Sequence, residues 1–155
     1  MKQIELIKNP DEFFYSMLRT AFQERAVRVS TDTEYYVVSM LSRFVRSDHY
    51  FSKDEMGRYS NDPLCFLLKE AEEEGEPEAK RLLFRQVGDS ALYKVGILKT
   101  KSPSPSYYGM LGKCAYSTTA KLYGRTKVQG LYQELAEKFD HIALALMKLP
   151  IIKSE

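Results

Sequence analysis

The sequence predicts an all-α, single-domain bundle of about six helices, and three observations carry that prediction. Apolar residues recur at three- and four-residue spacing through most of the chain, helix start and stop signals bracket those stretches, and no segment alternates apolar with polar residues. Val27-Arg28-Val29 comes nearest to a strand and is too short to found a sheet. With 155 residues, 44% hydrophobic and 28% charged, the chain has an ordinary globular composition and the length for one core. Residues 1–155 therefore read as one domain.

The elements follow in order. Asn9-Pro10-Asp11 opens the first helix, with Phe14, Leu18, Ala21 and Phe22 on one side and Arg19, Glu24 and Arg25 on the other. Thr31 as N-cap and Glu34 three residues later predict a capping box for the second, which carries Val37, Met40, Leu41, Phe44 and Val45. Arg46 to Asp62 is polar and reads as a long loop, long enough to serve a function or to contain a short helical turn. Asp62, with Pro63 at the first helical position, starts the third helix through Leu64, Leu67, Leu68 and Ala71. It closes on Glu72-Glu73-Glu74-Gly75, an acidic run that opposes the helix dipole and is expected to fray.

Pro77 opens the fourth helix, which carries Leu82, Leu83, Val87, Leu92 and Val95 as far as Leu98. Lys101 to Ser106 has two Ser-Pro steps and reads as a loop, because a residue before proline is pushed out of the helical region. The fifth helix is expected from Tyr107 to Tyr123, closed by Gly124. Val128, Leu131, Leu135, Phe139, Ile142, Leu146 and Leu149 form one clean stripe, predicting a single sixth helix that Pro150 ends.

Cys65 and Cys114 sit among apolar neighbours without metal-ligand spacing and are expected to be buried, reduced thiols. Glu5 interrupts the stretch where a signal peptide needs its apolar core. No apolar run reaches the roughly 18 residues of a membrane span, and Lys148 and Pro150 break the best candidate, Ile142 to Ile152. The expected location is cytoplasmic.

Two segments depart from plain helical sequence: Arg85 to Gly96, with Gly88 and Gly96, and Tyr107 to Tyr116, with Gly109 and Gly112. A glycine inside a helix costs about 0.5–1 kcal/mol relative to alanine, so four of them require a reason. The first reading is a close crossing of the fourth and fifth helices. The second is that the glycines clear room between those helices for a small molecule bound by Asp89, Tyr93, Tyr108, Lys113 and Tyr116. The third is that Gly88 ends one helix and Asp89 or Ser90 caps another.

The run Gly88-Asp89-Ser90-Ala91-Leu92-Tyr93, followed by Tyr107-Tyr108 and Gly112-Lys113-Cys114-Ala115-Tyr116, resembles a family of uncharacterised bacterial all-helical cytosolic proteins. The resemblance covers about Thr33 to Phe139 and implies a small all-α domain. It implies no activity, cofactor or catalytic residue.

Asp89 lies four residues after Arg85, the spacing of an intrahelical ion pair, and a buried Asp89 is expected to take a hydrogen bond from Tyr108 or Tyr116. His49 and His141 have no second ligand at metal spacing, and His141 reads as a helix-surface residue. Gly109-Met110-Leu111-Gly112-Lys113 has the wrong spacing for a phosphate loop and follows no strand. No nucleophile elbow or dinucleotide fingerprint is present. No catalytic residue, metal or cofactor is expected.

Charge is the strongest compositional signal. Net charge is +2, yet no acid occurs between Asp89 and Glu134, where Lys94, Lys99, Lys101, Lys113, Lys121, Arg125 and Lys127 lie. That window also holds Tyr93, Tyr107, Tyr108, Tyr116, Tyr123 and Tyr132. Cations attract phosphate and rings stack on bases, but Arg125 is the lone guanidinium, so nucleic acid is the weaker expectation. Lys99, Lys101, Lys121, Arg125 and Lys127 read instead as a surface for an acidic protein partner, with a homodimer also open. The sequence thus points to a non-enzymatic interaction or regulatory, adaptor-like helical module. The alternative is a ligand-binding sensor holding a small molecule between the fourth and fifth helices.

Overall fold

The structure, a computed structural model, describes residues 10–46, 63–101 and 104–149. All its elements there are helices: α1 (Pro10–Glu24), α2 (Thr31–Arg46), α3 (Pro63–Glu73), α4 (Pro77–Gly96), α5 (Pro105–Tyr123), α6 (Lys127–Glu137) and α7 (Phe139–Met147). They form one helical domain. The loop expected from Arg46 to Asp62, with His49, lies almost wholly outside the described residues.

The seventh helix comes from a break. Lys138 has φ −107° and ψ 17°, which divides the expected sixth helix into α6 and α7. The apolar stripe continues across the break, with Leu135, Phe139, Ile142, Leu146 and Leu149 all buried, so periodicity alone did not register it. Val128, at the start of the stripe, is exposed.

α4 and α5 form the spine. Gly88 faces Tyr116, Ala91 faces Gly112, and Lys94 lies over Tyr108. These pairs step down one helix as they step up the other, so the two run antiparallel. A Cβ on Gly88 would stand 2.7 Å from the Tyr116 ring, and one on Gly112 would collide with the Phe139 ring of α7. Gly88 and Gly112 serve a close crossing of α4 and α5, the first of the three expected readings, whereas an added Cβ on Gly109 would meet only Asp140, at 3.7 Å. Gly96 admits Leu146 of α7 in the same way, its added Cβ falling 2.7 Å from the leucine. α7 is thereby drawn against α4, and its Phe139, Ile142, Ala143, Ala145 and Leu146 fill the centre. α1 and α2 pair with each other and close the core with Phe14, Leu18, Val37, Met40 and Leu41.

Helix ends differ from expectation in three places. Ser30, not Thr31, caps α2: its Oγ accepts from the Thr33 N–H at 3.2 Å and its carbonyl from the Glu34 N–H at 3.0 Å. Ser104 caps α5 by accepting from the Tyr107 N–H, with Pro105 at the first helical position, so the helix begins two residues before Tyr107. The acidic end of α3 is tied down, since Lys80 donates to the carbonyls of Glu72 at 2.9 Å and Glu74 at 3.2 Å. Ala26, with φ 56°, takes the left-handed position after α1, where the Val27 N–H returns to the Phe22 carbonyl. Gly124 closes α5 at φ 66°, as expected.

Cys65 and Cys114 are exposed, which corrects their expected burial; each lies on the outer side of its helix. Leu82 is likewise half exposed, because α4 turns that side to solvent. His141 is exposed on α7, as its sequence context predicted. No helix among the described residues is long and apolar enough to cross a membrane.

Candidate functional site

Asp89 is the most deeply enclosed charged residue described, with 1% of its surface exposed. α4 delivers it to the seam shared with α2 and α5. Its Oδ1 accepts from the Tyr116 hydroxyl at 2.6 Å and the Tyr36 hydroxyl at 2.8 Å. Its Oδ2 accepts from Arg43 at 3.4 Å and lies 4.0 Å from Arg85 Nε, the expected intrahelical pair. Of the two donors foreseen for Asp89, Tyr108 and Tyr116, it is Tyr116 that makes the bond. Tyr108 is buried elsewhere on α5, beneath the Lys94 ammonium at 5.6 Å.

Burial is the largest influence on Asp89 and pushes its carboxyl above the ordinary carboxylate range; the Tyr116 and Tyr36 hydrogen bonds and the two arginines offset part of that rise. Burial and the adjacent Asp89 carboxylate hold the Tyr116 and Tyr36 hydroxyls well above the usual phenol range, so both remain protonated donors. Tyr36 meets Tyr132 edge-on at 5.4 Å, Tyr132 stacks on Tyr123 at 5.6 Å, and Arg81 covers Tyr123 at 4.7 Å. An aromatic cover therefore runs from the network to the surface.

The five residues expected to bind a ligand do not gather around one space. Asp89 and Tyr116 are bonded to each other inside the core. Lys113 reaches Asp140 of α7 at 2.6 Å. Tyr93 stacks on Phe44 of α2 at 4.6 Å. The α4–α5 seam itself is filled at Gly88 and Gly112.

A cavity of about 120 Å³ opens instead between α2, α3 and α4. Phe44, Leu64, Leu67, Tyr93 and Leu98 make its apolar wall, and Gln86, Ser90 and Lys94 supply the polar atoms. Of the five residues expected to bind a ligand, Tyr93 alone lines it. Sequence reasoning did not bring the other lining residues together as a site, and it missed Tyr36 and Arg43 in the Asp89 network. A signal existed for both sets: Tyr36 and Arg43 are seven apart on one face of α2, and Gln86, Ser90 and Lys94 are four apart along α4.

The basic residues form two groups. Lys99 and Lys101 follow α4, near the start of α5, whereas Lys121, Arg125 and Lys127 lie at its far end. The 19 residues of α5 hold the groups about 28 Å apart, several times the Debye length of about 8 Å. All five are exposed. Tyr93, Tyr108, Tyr116 and Tyr132 are buried, so those rings are not available to stack on bases. Lys127 borders an open groove shared with Asp32, Glu134, Glu137 and Lys138, a surface of mixed sign.

Among the described residues no group of His, Cys, Asp and Glu is arranged to hold a metal. Comparison with protein-family models, curated proteins and solved structures finds no match to this chain.

Proposed function

We propose that this protein is a non-enzymatic regulatory module that holds a small, largely apolar molecule in the cavity between α2, α3 and α4. The observation that carries the reading is the cavity itself. A dry cavity of about 150 Å³ lined by aliphatic and aromatic side chains is large enough to bind benzene, and this one, about 120 Å³, has an apolar wall of Phe44, Leu64, Leu67, Tyr93 and Leu98 beside the polar Gln86, Ser90 and Lys94. Asp89 favours structure over catalysis, because both of its oxygens are engaged and solvent does not reach it.

An adaptor role is compatible with this site. Phe66 is 75% exposed on α3, next to the cavity-lining Leu67, so a partner bound over Phe66 and a molecule in the cavity act on the same helix. The test is calorimetry or NMR titration with ring-sized apolar probes. Binding to the wild-type chain and its loss in Leu67→Trp, with the helical spectrum retained, is the expected result. Failure of every such probe to bind removes the ligand reading and leaves the adaptor role alone.

A further inference from the structure

We infer that Arg43 and Arg85 form a binding site for a phosphate dianion at the outer end of the Asp89 network. The site shares no residue with the cavity between α2, α3 and α4, so the two stand or fall separately. Two observations carry it.

The first is convergence. Arg43 on α2 and Arg85 on α4 both approach Asp89 Oδ2, from 3.4 Å through Nη2 and from 4.0 Å through Nε. Two like charges are thereby held side by side around one carboxylate oxygen. Both contacts are longer than the roughly 2.7–2.9 Å of a full charge-assisted bond. Arg85 Nε is buried without a hydrogen-bond acceptor among the described residues. Asp89 does not depend on either arginine for its place, because Tyr116 and Tyr36 hold its other oxygen at 2.6 Å and 2.8 Å. The two guanidinium groups therefore bring more donors and more charge than the carboxylate takes up.

The second is access. The Asp89 side chain is 2% exposed, whereas that of Arg43 is 46% and that of Arg85 32% exposed. Positive charge faces solvent, and the negative charge lies behind it. Arg81, one helical turn before Arg85, lies over Tyr123 and adds a third guanidinium group to the same face of α4. A carboxylate has two oxygens and is satisfied by one guanidinium fork. A phosphate dianion has a third oxygen and a second charge, so it suits a bridge between two guanidinium groups. The two faces of Tyr123 are taken by Arg81 and Tyr132, so that ring offers no stacking surface to an attached base. Recognition is thus of the phosphate group itself.

The experiment is an NMR titration of the full chain at low salt with inorganic phosphate, phenyl phosphate and acetate, read at the arginine Nε–Hε signals. Phosphate should shift the Arg43 and Arg85 signals, with acetate about tenfold weaker or more, the worth of one further hydrogen bond between charged groups. Arg43→Gln and Arg85→Gln should each weaken phosphate binding by a similar factor. Asp89→Asn should strengthen it, because the competing carboxylate is gone, a change that a purely structural ion pair does not produce. Phenyl phosphate binding at least as tightly as inorganic phosphate assigns the site to a phosphomonoester, and the reverse order assigns it to the free ion. Shifts confined to other arginines, or phosphate affinity unchanged in both glutamine variants, overturn the site. Acetate binding as tightly as phosphate overturns the phosphate assignment. Should the variants fail to fold, the Arg43 and Arg85 signals of the wild-type chain decide the question.

Discussion

Tyr116 engages α4 at two consecutive residues: its hydroxyl donates to Asp89 Oδ1 at 2.6 Å while its ring occupies the space beside Gly88 that a side chain would need. Packing and polar pairing therefore depend on each other. Tyr116→Phe keeps the ring and removes the donor, so it isolates the polar half. A hydrogen bond to a buried charge is worth about 1.5–3 kcal/mol, and that loss is expected in urea unfolding. Tyr36→Phe should cost less, since Tyr36 is only partly buried. In Asp89→Asn the cost of Tyr116→Phe should shrink, which a double-mutant cycle measures.

The two structural carboxylates should respond to pH with opposite sign. Asp89 binds its proton more tightly in the folded chain, chiefly because of burial. Its contribution is complete below the ordinary carboxylate range and is lost as pH rises through the raised value. The stability of the wild type relative to Asp89→Asn should therefore fall as pH climbs from acid toward neutral.

For Glu134, burial alone would raise the carboxyl, but hydrogen bonds from Thr33 and Ser30, with Lys138 nearby, outweigh it and bring the value down. Its contribution is present above the ordinary glutamate range and is lost as pH falls through the lowered value. Wild type relative to Glu134→Gln should weaken on acidification. Denaturant midpoints across pH test both slopes, and parallel slopes would contradict the assignments.

Glycine substitutions should divide by neighbour. Gly112→Ala places a methyl against Phe139 and Ala91, and Gly112→Leu overpacks further, with an expected loss of roughly 1–3 kcal/mol or more. Gly130 on α6 has open space around its added Cβ, so Gly130→Ala should gain up to about 1 kcal/mol from helix propensity. Thermal melts of the two alanine variants should move in opposite directions.

Much of the bundle was legible because Pro10, Pro63 and Pro77 stand where α1, α3 and α4 begin and apolar spacing continues from each. The break at Lys138 was not, because its apolar stripe keeps helical spacing on both sides of a local backbone change. Ser30 was passed over as a cap because Thr31 and Glu34, one residue further on, match the capping-box spacing. The hydrogen bond from Tyr116 to Asp89 was foreseen, but the two residues, also expected to bind a ligand, are bonded to each other inside the core. The cavity was not foreseen, because its apolar wall comes from α2 and α3 and a chain read alone does not show which helices leave space between them. The charge window was real in sequence but spatially divided, because it spans the full length of α5.

The bonds that tie Ser30 to Glu134 span 104 residues of chain. Thr33 also donates to the same carboxylate, at 2.6 Å. The first turn of α2 is thus completed by a group synthesised long after it, and only once α6 has docked. Until then the amides at the start of α2 are capped by Ser30 and water alone. Closing so long a loop is entropically slow, so this corner should be among the last to consolidate during folding. Ser30→Ala and Glu134→Gln should accordingly accelerate unfolding while leaving the folding rate nearly unchanged.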